Sequence, residues 1–169
     1  IRVLDTRKTL PGLRRLEKQA VVHGGGCNHR MGLYDMVLIK DNHIDAAGGI
    51  TEAVHRVRER HGGRFPVEVE TRSLEEVREA AGLGVDRIML DNMSRRMMKR
   101  ACAAVDGRAE IEASGNMTLR RTRRLRRLPL DYLSVGAITC AAGHADFSLQ
   151  VGRGHGVRGT QEHGGAAGG

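Results

Sequence analysis

Two apolar runs in this chain stop abruptly at charge. Ile1–Leu4 leads into Asp5-Thr6-Arg7-Lys8, and Met36–Ile39 leads into Lys40-Asp41-Asn42-His43. Between them a triple glycine, Gly24–Gly26, is followed by His29 and Arg30. A run of this kind reads as a buried strand delivering a cation to a cleft, since Lys and Arg pair with carboxylates or phosphates. Four later runs end in a complementary set. Glu70 follows Pro66–Val69, and Asp91 and Asn92 follow Arg87–Leu90. Ser114 and Gly115 follow Ala109–Ala113, and Gly136 follows Tyr132–Val135. Two carboxylates on adjacent strands can share Mg²⁺ through oxygen ligands, or stabilise a cationic transition state. Glycine turns leading into helices offer backbone N–H groups to a phosphate. The set implies a polyanionic, phosphate-bearing substrate that arrives with Mg²⁺.

Taken singly, each residue has a plainer use. Arg7 or Lys40 alone is an ordinary strand-end charge, and Glu70 or Asp91 alone a salt-bridge partner. Asp91-Asn92 could cap a helix, and a loop residue such as His29 is more often surface than ligand. What favours a site is recurrence at six strand ends. Cys27-Asn28-His29 lacks a second ligand pair at metal-binding spacing. The run Arg120, Arg121, Arg123, Arg124, Arg126 and Arg127 has no interleaved aromatics. Leu119, Leu125 and Leu128 predict an inward stripe beneath it, so a solvated helix face is expected rather than a nucleic-acid surface.

The positioning elements follow from the same runs. All six are continuous rather than alternating, the pattern of parallel strands covered on both faces. Helices are predicted at Ile50–Arg60 with Thr51 as N-cap, at Ser73–Ala81 behind a capping box, at Ser94–Val105, and at Thr118–Leu128 before Pro129. Repeated βα units give a doubly wound sheet or a barrel. In a barrel, all the strand ends above face one mouth. No GxGxxG follows the first strand, which argues against a dinucleotide-binding sheet.

Composition bounds the rest. A chain of 169 residues is one domain, or one with an appendage. Aromatics make up 2% with no Trp, so the core must be aliphatic. The net charge of +8 favours anionic partners. Three scattered cysteines suggest no disulfide framework and fit a reducing cytosol. No apolar run approaches membrane-spanning length. Eight of the eighteen residues 152–169 are Gly, so that tail is expected to be disordered. The chain begins at Ile1 inside a strand-like run, and is expected to be a fragment.

The motifs LDTRKTLPGLR, GGGCNHRMGLYDMVLIKDNH, VEVE, LDN, EASGN and SVGAIT occur in the order and approximate spacing of quinolinate phosphoribosyltransferases, which the chain resembles from Arg2 to Val151. The resemblance implies an incomplete TIM-like α/β barrel of parallel strands over residues 1–151. It also implies a preceding N-terminal domain that is missing here. The implied reaction transfers phosphoribosyl from phosphoribosyl pyrophosphate to quinolinate, with loss of pyrophosphate and CO₂, giving nicotinate mononucleotide. By motif, Arg7, Lys8, His29 and Arg30 would hold the acceptor carboxylates, and Thr6 lies in the same motif. Lys8 and Lys40 would reach the pyrophosphate. Glu70 and Asp91 would engage the ribose and Mg²⁺, and Ser114, Gly115 and Gly136 would bind phosphate. Lys40, Glu70 and Asp91 are the implied catalytic residues. The family further implies a cytoplasmic homodimer or homohexamer, with a neighbouring subunit completing the site, so the isolated piece should be nearly inactive. Two departures stand out: Cys140 and Ala141 replace the usual His-Ser after SVGAIT, and Arg120 and Arg121 replace acidic residues. The alternatives are a paralogous barrel with another acceptor, of the molybdenum-transport-associated type, and an inactive basic fragment that binds nucleic acid.

Overall fold

The computed structural model describes residues 1–143 and 145–151. The glycine-rich stretch 152–169 lies outside the described residues. Six strands form: β1 (Arg2–Leu4), β2 (Val37–Ile39), β3 (Val67–Thr71), β4 (Arg87–Asp91), β5 (Glu110–Ser114) and β6 (Tyr132–Ser134). They pair in the order β1-β6-β5-β4-β3-β2, every pair parallel. From β2 the order simply counts upward to β6 and then returns to β1. That is the order of a barrel with one unpaired seam, between β1 and β2. The seam is occupied by the segment around Cys27, which bridges Leu4 in parallel. The Cys27 N–H donates to Val3 O at 2.8 Å, and Cys27 O accepts from the Asp5 N–H at 3.1 Å.

Six helices accompany the strands: α1 (Arg14–His23), α2 (Asp41–Ala47), α3 (Ile50–His61), α4 (Leu74–Gly82), α5 (Arg95–Val105) and α6 (Leu119–Leu125). Val67, Val69, Ile88, Leu90, Ile111 and Ala113 face outward and pack with Val54, Val77, Ala80, Met98 and Val105 of the helices in one aliphatic core. The opposite strand faces carry Glu68 and Glu70, Met89 and Asp91, Glu112 and Ser114, and Ser134. This corrects the expectation of continuously apolar strands. β5 alternates strictly, and β3 does so up to Glu70, with apolar residues toward the helices and polar ones toward the barrel axis.

Several local expectations change for identifiable reasons. Helices α1 and α2 were not foreseen. α3 is capped by Gly49, not Thr51. Gly48 ends α2 in the left-handed region and Gly49 turns directly into α3, so the Thr51 N–H and hydroxyl are free to donate to Glu79 at 2.9 and 2.7 Å. Ser73 caps α4 by accepting from the Glu76 N–H at 3.2 Å, but the Glu76 carboxylate accepts from the Arg72 N–H, so only half of the capping box forms. Thr118 caps α6. Leu125 and Leu128 are buried beneath that helix, whereas Leu119 is 79% exposed and is no part of an inward stripe. Among the described residues, no helix is long and apolar enough to cross a membrane.

Candidate active site

The C-terminal ends of the strands surround a cavity of about 420 Å³. Every site residue predicted from the sequence lines it. Thr6, Arg7, Lys8 and Lys40 come from beyond β1 and β2, and His29 and Arg30 from the seam segment. Glu70, Asp91 and Ser114 lie at the ends of β3, β4 and β5, and Gly115 and Gly136 follow β5 and β6.

The cationic side is held by backbone contacts rather than by carboxylates. The Lys8 N–H donates to Thr6 Oγ1 at 3.0 Å, and Thr139 Oγ1 donates to Lys8 O at 2.7 Å. Arg14 clamps the same turn by donating to Arg7 O at 3.2 Å and Thr9 Oγ1 at 3.0 Å. Arg30 donates to Met36 O at 3.2 Å. Its pKa is lowered, first by burial and then by the neighbouring Arg7 guanidinium. The Arg7 Nε is itself buried without a partner. Two crowded cations of this kind are relieved by an anionic ligand.

The opposite side has the converse electrostatics. Burial raises the pKa of Glu70, and the Asp91 carboxylate raises it further against the pull of Lys40. Lys40 Nζ lies 3.4 Å from Glu70 Oε2. This ion pair joins the two poles, and a ligand that competes for either partner would open it. Next to Asp91, the turn after β5 is sterically exacting. Gly115 has φ +94°, and a Cβ there would meet Asn92 Oδ1 at 2.1 Å. Asn116 donates to Asn92 Oδ1 at 3.4 Å, and Asn92 donates to Asp91 at 2.9 Å. A chain of amides thus ties the small-residue turn to the carboxylate. Gly136 is different, since a Cβ would meet only Lys8 and Thr6 atoms at ordinary contact of 3.8 Å.

His29 forms part of the floor, and its position is over-determined. Its N–H donates to Asp5 Oδ1 at 2.8 Å, and its carbonyl accepts from Lys18 Nζ at 2.9 Å. Asp5 and Lys18 form an ion pair in which both side chains are fully buried. The ring enters the barrel between two carboxylates, 3.1 Å from Glu68 and 3.4 Å from Glu112. Burial alone would lower the His29 pKa, but Glu112 and Glu68 together raise it to about 9. The Arg30 N–H donates to Nδ1 at 2.7 Å, a contact open only to a ring whose Nδ1 is bare, so it tempers that rise. Arg87 stacks on Tyr132 at 4.0 Å and binds Glu110 and Glu112, closing the bottom of the barrel.

The sequence reading missed Lys18, Glu68, Arg87 and Glu112, and gave Asp5 and Asn92 only as strand-end residues. A signal was present for the two glutamates: strict alternation in VEVET and EIEAS puts Glu68 on the face of Glu70, and Glu112 on that of Ser114. Arg120, Arg123, Arg124, Arg126 and Arg127 are exposed, and none of them lines the cavity.

Comparison with known proteins places this geometry. The family model described as quinolinate phosphoribosyl transferase, C-terminal domain, matches residues 1–150. A carboxylating nicotinate-nucleotide pyrophosphorylase of Arabidopsis thaliana is 47% identical over 167 positions, covering 88% of this chain and 48% of that protein. A probable carboxylating nicotinate-nucleotide pyrophosphorylase of Bacillus subtilis is 42% identical, covering 89% of this chain and 52% of that protein. The crystal structure of NadC from Streptococcus pyogenes superposes with a TM-score of 0.86 at 46% identity, over 89% of this chain and 53% of that one. The chain spans about half the length of the curated relatives it matches. Its α/β architecture, with an all-parallel sheet ordered as a barrel and a polar cavity at the strand ends, belongs to the quinolinate phosphoribosyltransferase family, and the chain corresponds to that family's C-terminal domain.

Proposed function

We propose that this chain forms the catalytic barrel of an enzyme that transfers phosphoribosyl from phosphoribosyl pyrophosphate to quinolinate, releasing pyrophosphate and CO₂ and giving nicotinate mononucleotide. The observation that supports this most is the division of one cavity into a cationic and an anionic pole. Quinolinate offers two carboxylates to Arg7, Lys8, His29 and Arg30. That is more positive charge than a monocarboxylate acceptor needs. Lys8 and Lys40 face the pyrophosphate, while the turns at Ser114, Gly115 and Gly136 offer N–H groups to the ribose phosphate.

The reaction separates charge. As the ribose C1–O bond to pyrophosphate breaks, positive charge grows on the ribose and negative charge on the leaving group. Glu70 and Asp91 sit where they stabilise the first, and Lys40 and Lys8 where they stabilise the second. The pyridine nitrogen then bonds to C1. The positive ring stabilises the electron pair left on C2 as CO₂ leaves, and C2 then takes a proton from water to give the product. Glu70 and Asp91 also fit a Mg²⁺ ion by donor chemistry, being two oxygen ligands close enough to repel each other. When bound, that ion supplies neutralisation of the pyrophosphate charge. A homodimer or homohexamer goes with this reading, and so does a cytoplasmic location, with which the three unpaired cysteines agree.

The test is nicotinate mononucleotide formation from quinolinate and phosphoribosyl pyrophosphate by the natural protein. Lys40→Ala or Glu70→Ala should each lower turnover by about 10²–10³-fold. Turnover near that of the wild type in either variant would overturn the reading.

A further inference from the structure

At the cavity floor the His29 ring is fixed from two sides. The Arg30 N–H donates to Nδ1 at 2.7 Å, so the proton this ring carries is on Nε2. Nε2 points between two buried carboxylates, 3.1 Å from Glu68 and 3.4 Å from Glu112. The two are unequal. Glu112 has other partners, since Ser134 Oγ donates to one of its oxygens and Arg87 to the other at 3.3 Å. Glu68 is completely buried, and among the described residues His29 is its one ion-pair partner. His29 and Glu112 line the cavity, whereas Glu68 lies beneath it and does not. A carboxylate with so little support is costly to bury unless its neighbour is positive.

We propose that Glu68 is a positioning residue for the acceptor: it holds the His29 ring by Nε2 and keeps it cationic, so that a fixed charge pair turns its positive end to the cavity. The inference rests on the acceptor reading above and deepens it. A dicarboxylate that meets Arg7, Lys8 and Arg30 finds a fourth cation on the floor, whose charge depends on a residue outside the cavity. The sign follows from the order of the charges. Glu68 repels an anion, but from farther away than His29 attracts it, so the pair is favourable as a unit. Without Glu68 the burial of the ring weighs more, and burial favours the neutral form. The groups that act on the ring are Glu68 from β3 and Glu112 from β5, with Arg87 of β4 and Ser134 of β6 behind Glu112. Asp5 and Lys18 hold its backbone and cancel each other in charge. Arg30, on its own segment, and Arg7 beside Arg30 carry like charge. Because Nε2 keeps its proton throughout, the ring changes charge at Nδ1, in exchange for the Arg30 contact. An acceptor carboxylate tips that exchange toward the charged ring, so binding is linked to proton uptake.

Quinolinate binding to the natural protein is measured by calorimetry across a pH series, without the phosphoribosyl donor. Wild-type affinity should hold from pH 6.5 and fall about 10-fold as pH passes 9, where the ring loses its charge. In Glu68→Gln the fall should come more than about one pH unit lower, with affinity on its acid side no weaker than that of the wild type. His29→Gln should show no such fall. Near pH 9, wild-type binding should take up a fraction of a proton, read by repeating the titration in buffers of different ionisation enthalpy. A loss in Glu68→Gln that is equal at every pH, or wild-type binding without proton uptake, would overturn the proposal. The ring is also followed by NMR in the ligand-free protein, where it should titrate near 9, and more than about one pH unit lower in Glu68→Gln. If that difference appears but quinolinate does not bind the wild type, the acceptor reading fails while the charging of His29 by Glu68 stands. Should Glu68→Gln fail to fold, the wild-type proton uptake and ring titration decide.

Discussion

Two buried charged clusters meet at His29, and they are resolved in opposite ways. Behind it, Asp5 and Lys18 are both fully buried and fully used. Asp5 Oδ1 accepts from Lys18 and the His29 N–H, and the Asn28 amide, turned with its nitrogen toward Asp5, donates to Oδ2 at 2.6 Å. In front of it, Glu68 is equally buried and meets the His29 ring at 3.1 Å without a well-formed hydrogen bond. The difference separates a brace from the floor of the cavity, which His29 and Glu112 line. A charge pair whose every atom is satisfied holds the chain in place, whereas a loosely bonded cluster can answer to what occupies the cavity. The same contrast recurs at the mouth. There the cations around Arg7 and Arg30 crowd one another instead of pairing with carboxylates.

The largest expected effect tests the brace. Lys18→Met leaves Asp5 buried and uncompensated, and should destabilise the fold by about 3–5 kcal/mol in urea unfolding. The double change Asp5→Leu with Lys18→Met should recover much of that loss, since well-packed apolar replacements of buried pairs are often tolerated. A single variant no worse than the double would mean that Asp5 is not held by Lys18.

A smaller effect should appear with pH. The groups facing His29 are Glu68 from β3 and Glu112 from β5, with Arg87 of β4 behind Glu112. The folded pKa of about 9 stands above the ordinary 6.5. The stability this contributes is therefore fully present below pH 6.5 and is lost as pH rises through 9. The loss should be at most roughly 3 kcal/mol across that window, less whatever the Arg30 contact to Nδ1 subtracts. His29→Gln should flatten the profile. An unchanged slope in that variant would assign it elsewhere.

The smallest effect is expected at Glu68. Glu68→Gln gives up the pairing with His29 at 3.1 Å but also the cost of burying a carboxylate, and the two offset, so thermal unfolding should change by no more than about 1 kcal/mol. A loss comparable to that from Lys18→Met would erase the distinction between the two clusters and make Glu68 a structural residue.

How far these features were legible differs residue by residue. Thr6, Arg7, Lys8, Lys40, Glu70 and Asp91 stand immediately after apolar runs, and strand ends of a parallel barrel share one mouth, so local position was enough to gather them. The β5 turn was legible because Ser114 and Gly115 punctuate the end of an apolar run, and the structure adds the reason for glycine there, a positive φ beside Asn92. Leu119 was misread because a helical repeat specifies a face but not where the neighbouring element ends, and α6 begins beyond its cover. Glu68 was passed over because an acidic residue inside an apolar run reads as an interruption until the barrel turns it inward.

Chain order and residue type alone determined the six parallel strands, most of the helices around them, and the charged set at their ends. These follow from period, capping and punctuation, all of which act over a few residues. Only the tertiary structure decided which charges would be paired and which left waiting. Asp5 and Lys18, and likewise His29, Glu68 and Glu112, lie far apart along the chain. They meet only when the seam segment closes the gap between β1 and β2 and excludes water from both sides of His29. Burial is a property of that closure, and it is burial that makes one cluster a brace and the other the floor of the cavity.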